Sequence, residues 1–120
     1  MKKNLFLFII LAINSFAFET EYEKGENLYF EKGCANCHGT EAEGNNYYPK
    51  LANKKQKILL QKLKDFKNGK ASSQKAEIMF TFADSLQDKE MQYITKFLSR
   101  YKEETTDKYK ISDDILGSVD

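Results

Sequence analysis

The chain has 120 residues, 41% of them hydrophobic, with 19 basic against 18 acidic side chains and one histidine. That length allows one small domain whose side chains alone make a marginal core. The formal charge of +1 argues against nucleic acid as a partner, because it lacks the basic excess that binding phosphates demands.

The first element is an export signal. Lys2 and Lys3 form a positive start, Leu5 to Ile13 is apolar, and Ser15-Phe16-Ala17 has the small-x-small pattern of a cleavage site. This reads as a signal peptide over 1–17, cut after Ala17, with the mature protein in the periplasm. A retained anchor is the alternative, but the apolar run falls well short of the roughly 20 residues that span a bilayer. Cleavage removes two lysines and leaves 103 residues with a charge of −1. The remaining charges are unevenly spread: residues 50–75 hold nine lysines and one acid, Asp65, whereas Glu19, Glu21, Glu23, Glu26 and Glu31 crowd the mature N-terminus.

From Glu19 to Lys32, Tyr22, Gly25, Leu28 and Tyr29 recur at helical spacing, and acids fill the first turn, where the helix dipole favours them. That helix leads into Cys34-Ala35-Asn36-Cys37-His38, which uses both cysteines and the only histidine of the chain. A Cys-x-x-Cys-His run is a covalent haem attachment sequence. Two thiols three positions apart can each add to a vinyl group of one porphyrin, which brings the next residue under the iron as a ligand. A redox dithiol would need an alternation of strands and helices, and no strand run is evident nearby. Structural zinc normally takes four Cys or His ligands, and the chain has three in all. A short-loop disulfide would leave His38 without a role. A buried haem would also supply the apolar mass that the core lacks.

Gly39, Gly44, Asn45, Asn46 and the sole proline, Pro49, make residues 39–53 a loop. Asn53 is then expected to cap a helix whose face is Leu59, Leu60, Leu63 and Phe66 and which ends at Asn68-Gly69. Its lysines fall largely on the other faces. A polar loop, Lys70 to Lys75, leads to Met79-Phe80-Thr81-Phe82. Ser85 or Asp84 is expected to cap the last main helix, where Met91, Ile94, Leu98 and Tyr101 share a face with Phe97 beside them. Lys102 to Asp120 is a polar, acidic tail.

These residues resemble the class I c-type cytochromes, particularly the small bacterial monohaem type and the half-domains of its dihaem relatives. The resemblance runs from Gly25 to Tyr101. It rests on Gly25-x-x-Leu28-Tyr29 ahead of Cys-Ala-Asn-Cys-His-Gly, on Tyr48-Pro49-x-Leu51-Ala52, on Leu59 to Phe66 followed by Gly69, and on Met79 ahead of Leu86-Gln87-Asp88. It implies an all-α cytochrome c fold over 18–101, with three to four main helices around one haem c. In that fold Cys34 and Cys37 carry the thioether links, His38 is the proximal ligand and Met79 the distal one. Pro49 offers its carbonyl to the other nitrogen of His38, and Gly25 lets the first helix approach the last near Ile94 to Leu98. Three positions depart from the usual pattern: Asn53 stands in place of a common glycine, Gln87 in place of a capping serine, and Phe97 in place of a frequent tyrosine.

Met79 decides between electron transfer and chemistry at iron, because a thioether closes the sixth position and favours the ferrous state. Its competing reading is a gap-filling core methionine beside Phe80 and Phe82. Met91 is the rival ligand, but its periodicity with Ile94 and Leu98 marks helix core; a lysine or an open position are the other choices. Tyr47, Tyr48, Phe80 and Phe82 are expected to pack on the haem. The lysine-rich segment reads either as a docking face for an acidic redox partner or as the solvated side of an amphipathic helix.

The resulting expectation is a periplasmic single-electron carrier, monomeric, with no small-molecule substrate and no enzyme activity of its own. The resemblance suggests a quinol-oxidising cytochrome complex as donor and a haem-copper oxidase or cytochrome c peroxidase as acceptor. A gas- or peroxide-binding haem protein with an open sixth position is the alternative. An electron-entry subunit of a larger enzyme is a third reading.

Overall fold

The computed structural model describes residues 18–101, and all of its regular structure is helical. The export signal read at 1–17 and the tail at 102–120 lie outside the described residues. Five α-helices follow in order: α1 (Glu21–Glu31), α2 (Ala35–His38), α3 (Gln56–Lys67), α4 (Met79–Asp84) and α5 (Asp88–Ser99), with a 3₁₀ helix over Gln74–Ile78 running directly into α4. The three long ones are the helices that periodicity predicts; α2, α4 and the 3₁₀ turn are too short to show a period.

Helix α1 starts at Thr20, whose hydroxyl accepts the Glu23 N–H while the Glu23 carboxylate accepts the Thr20 N–H. Its inner face meets α5. Gly25 makes that meeting possible, because a Cβ at this position would overlap the Tyr93 carbonyl and come within 2.8 Å of Phe97 Cβ. Phe97 then sits among aromatic rings, 5.2 Å from Tyr22 and 5.5 Å from Tyr29 between centroids. Tyr29, Met91 and Phe97 are buried in this core, joined by Ile94 and Leu98. Outside it, Lys96 of α5 pairs with Glu21 of α1.

Two expected helix caps are placed elsewhere. Asn53 does not cap α3: the N-cap is Lys55, two residues later, with the helix starting at Gln56, and no side chain bonds there. Asn53 instead adopts a left-handed backbone (φ 62°) and donates its N–H to Leu98 O at 2.8 Å, tying the preceding loop to α5. Asparagine tolerates that conformation better than most residues, which lets it stand in for glycine. Neither Ser85 nor Asp84 caps α5: Asp84 ends α4, and the Ser85 hydroxyl turns back to Phe82 O. Gln87 holds the position, and its N–H donates to Glu90 Oε2 at 2.8 Å. The intervening α4, absent from the periodic pattern, moves the true start of α5 onward. Helix α3 ends at Asn68, followed by Gly69, as expected.

Candidate functional site

A cavity of about 850 Å³ opens between the α2 turn, the loop that follows it, α3, α4 and α5. This is within the range of cofactor pockets. Cys34, Cys37, His38, Pro49 and Met79 all line it, so one space collects every residue singled out for the site. Leu51, Leu59, Leu63, Phe66, Leu86, Ile94 and Leu98 make the rest of the wall mostly apolar.

The proximal side is built by hydrogen bonds. The Tyr29 hydroxyl, at the inner end of α1, donates to Gly39 O at 2.7 Å and so pins the exit of α2 to the core. Burial pushes this phenol well above its usual range. Gly44 N–H donates to His38 O at 2.8 Å, while Leu51 and Ala52 N–H share Ala42 O at 2.9 and 3.1 Å. Asn45 Oδ1 accepts the N–H groups of Tyr47 and Tyr48, folding an Asx turn immediately before Pro49. The product of these ties is one contact, Pro49 O to His38 Nδ1 at 2.8 Å. A proline carbonyl can only accept, so Nδ1 carries the hydrogen and Nε2 keeps its lone pair. His38 is otherwise buried, 6% exposed, with its imidazole oriented and in the tautomer that a metal ligand requires.

The thiols lie beside it. Cys34 and Cys37 are not bonded to one another, and burial raises the Cys34 thiol above its ordinary value. The Tyr48 phenol, hydrogen-bonded to the Cys37 sulfur, is raised as well. Among the described residues no group of three or more His, Cys, Asp or Glu side chains is placed to hold a metal ion.

Met79 comes from a separate segment, at the first position of α4. Its rival Met91 is fully buried in the α1–α5 core and does not line the cavity. Of the four aromatics expected against a haem, Tyr47, Tyr48 and Phe82 line the cavity. Phe80 does not; it packs on Phe66 of α3, at 6.4 Å between ring centroids. Three contributors escaped the sequence reading. Thr95 is fully buried on the cavity wall with its hydroxyl returned to Met91 O at 2.8 Å, a polar residue hidden inside an apolar face. Ile58 and Ile78 line the mouth although they lie off the buried helix faces.

Lysines Lys32, Lys50, Lys54, Lys62 and Lys75 also border the cavity. Lys32 pairs with Glu90 at 3.6 Å, and Lys75 Nζ lies 3.3 Å from the centre of the Tyr47 ring. The lysines of α3 project outward, as its amphipathic pattern predicts, with one departure: Lys67 reaches across to the backbone at the end of α4.

A haem fits this donor set. The apolar cavity would take the porphyrin, the thiols of Cys34 and Cys37 would bind it covalently, His38 Nε2 would offer its lone pair to the iron, and the Met79 thioether in the wall would be the other soft donor. The family model for cytochrome c matches residues 22–102. Cytochrome c-554(547) of Halothiobacillus neapolitanus is 30% identical over 86 residues, an alignment covering 65% of this chain and 93% of the relative. No solved structure gives a significant match. The match spans both walls of the cavity and the α1–α5 pair that supports them: the chain belongs to the cytochrome c family, as a class I c-type cytochrome with an all-α fold built for covalent haem c.

Proposed function

We propose that this cytochrome is a periplasmic monohaem electron carrier, in which His38 and Met79 would hold the haem iron, and not an enzyme in its own right. The observation that carries the proposal is the convergence of Cys34, Cys37, His38 and Met79 on one apolar cavity. Bound haem supplies a one-electron couple at iron. The chain's part is to hold that couple still and dry. His38 is fixed by Pro49, so its ring has little freedom to reorient when the charge at the metal changes. Met79 offers a neutral thioether, which favours the ferrous state and closes the site to small ligands. The surrounding leucines exclude water and lower the local dielectric, which further sets the potential.

One haem per chain follows from one attachment motif. The N-terminal segment supports export, which suits covalent attachment outside the cytoplasm. The lysines at the mouth support an acidic protein partner: among the described residues Lys50, Lys54 and Lys62 make no ion pair and border the opening. Such a ring steers association at low ionic strength. A quinol-oxidising complex as donor and a haem-copper oxidase or cytochrome c peroxidase as acceptor fit this role, with the carrier acting as a monomer.

Optical spectra of the haem-loaded protein, oxidised and reduced, with and without carbon monoxide, test the ligation. The expected result is a low-spin reduced spectrum that carbon monoxide leaves unmoved, and a Met79→Ala variant that binds the gas. Ready binding by the unmutated protein would replace the carrier with a gas- or peroxide-binding haem protein.

A further inference from the structure

Lys67 is one of nine lysines in the basic stretch, and sequence gives no reason to separate it from the rest. The structure does. Its Nζ lies 2.6 Å from Leu86 O and 3.0 Å from Asp84 O, so one ammonium bridges two carbonyls at the exit of α4. Those carbonyls matter because α4 has only six residues. A helix this short cannot sustain itself, since nucleation costs more than its few internal bonds return. Its last carbonyls need partners from outside.

The last three carbonyls of α4 each have a partner. Phe82 O accepts the Ser85 hydroxyl at 2.8 Å, Ala83 O accepts Leu86 N–H at 3.1 Å, and Asp84 O takes Lys67. Ser85 and Leu86 are local to the turn; Lys67 alone of these donors ties it to another long helix. A cation at the C-terminal end of a helix is also favoured by the backbone dipole. The helices α3 and α4 also pack side by side, with the Phe66 ring on Phe80, one residue away on each helix from Lys67 and Met79 respectively. Helix α3 therefore holds α4 through adjacent residues, Phe66 by packing and Lys67 by charge.

We propose that Lys67 is a positioning residue for the distal ligand: by bridging Asp84 O and Leu86 O it locks α4 onto α3 and keeps Met79, at the start of α4, against the cavity. This rests on the reading of Met79 as that ligand. It withdraws Lys67 from the partner-docking surface and gives it a role inside the molecule.

The experiment uses the haem-loaded protein with no redox partner present. Lys67→Met keeps the aliphatic stem and removes the donors; Lys67→Arg keeps charge and donors; Lys64→Met removes an exposed lysine of the same helix that makes neither bond. Three quantities are read: the ferric absorption signature of thioether ligation, the rate of carbon monoxide binding to the reduced form, and amide hydrogen exchange over residues 79–86. Lys67→Met is expected to weaken the signature, speed carbon monoxide binding by about tenfold or more, since both charge-assisted hydrogen bonds are lost, and speed exchange in α4. Lys67→Arg is expected to restore most of each, and Lys64→Met to change none. A Lys67→Met protein that matches the unmutated one in all three, or a Lys64→Met protein that behaves as Lys67→Met does, overturns the proposal. Met79→Ala run alongside separates the two readings. If it leaves the thioether signature intact, the ligand assignment has failed; if it abolishes the signature while Lys67→Met leaves it whole, only the positioning role has failed.

Discussion

Between Gly39 and Lys55 the chain has no helix, yet its backbone is tied down repeatedly: to Tyr29 at Gly39, to His38 at Gly44, to Ala42 from Leu51 and Ala52, and to Leu98 at Asn53. Between Lys70 and Gln87 it is mostly helical, but the helix is brief; it packs along α3, and Lys67 ties its end there by hydrogen bonds. Secondary structure is thus a poor guide to which wall of the cavity is rigid. The irregular loop directs many bonds toward a single contact on His38, whereas the helix carrying Met79 depends on what anchors its end. On the ligation proposed above, His38 fixed in that way would stay in register through a redox cycle, and Met79 on a short helix would be open to tuning or displacement by changes at a distance.

The largest effect expected from breaking this arrangement is chemical. A Cys34→Ala, Cys37→Ala double variant should lose all haem that survives denaturing electrophoresis, since no other thiol exists in the chain. Next comes the support shared by both walls. Gly25→Ala places a methyl group against the Tyr93 carbonyl and should destabilise the fold by about 3 kcal/mol, forcing α1 away from α5. Thermal unfolding of the haem-loaded protein measures it. Because α1 also supplies Tyr29, and α5 supplies Leu98 to the loop and Ile94 to the cavity, both walls should loosen together.

A smaller change isolates the proximal wall. Asn45→Ala removes the acceptor for two backbone N–H groups ahead of Pro49 and should cost about 1 kcal/mol, little of it felt at α4. Exchange of the hydrogen on His38 Nδ1, followed by magnetic resonance, should accelerate while carbon monoxide still fails to bind. Lys67→Met should give the reverse pattern. If both variants changed both readouts equally, the two walls would be one cooperative unit and the contrast between them would disappear.

Much of this was legible in the residue order. Cys34, Cys37 and His38 are adjacent, so their chemistry shows without any knowledge of folding, and the three long helices announce themselves through faces such as Leu59, Leu63 and Phe66. The N-cap residues read from periodicity, Asn53 and Ser85 or Asp84, were not, although the resemblance had Gln87 at the cap of α5. Capping depends on where a helix begins to within one residue, and the hidden α4 shifted the start of α5 from Ser85 to beyond Gln87. Asn53 looked like a cap because asparagine serves both caps and left-handed turns, and only the approach of Leu98 O decides between them. Lys67 is illegible for a further reason. A lysine on an amphipathic helix has the same pattern whether it ends in water or on a carbonyl 17 or 19 positions away.

The gentlest test lies away from the cavity, at the outer edge of the α1–α5 contact. The Lys96 ammonium hydrogen-bonds to Glu21 and holds its carboxyl below the usual carboxylate range. The stability this confers is present above the unfolded-state value, near about 4.3, and is lost as pH falls through the lower folded-state value. Lys96→Met should therefore be slightly less stable than the unmutated protein at neutral pH, with the gap closing below about pH 4. Because the pair is solvent-exposed, the difference should also shrink in high salt. Denaturant unfolding across pH would show it, and the ligand spectrum should stay unchanged throughout, since neither residue borders the cavity. A spectral change in Lys96→Met would mean that the α1–α5 contact governs the walls through its charges as well as through the packing around Gly25.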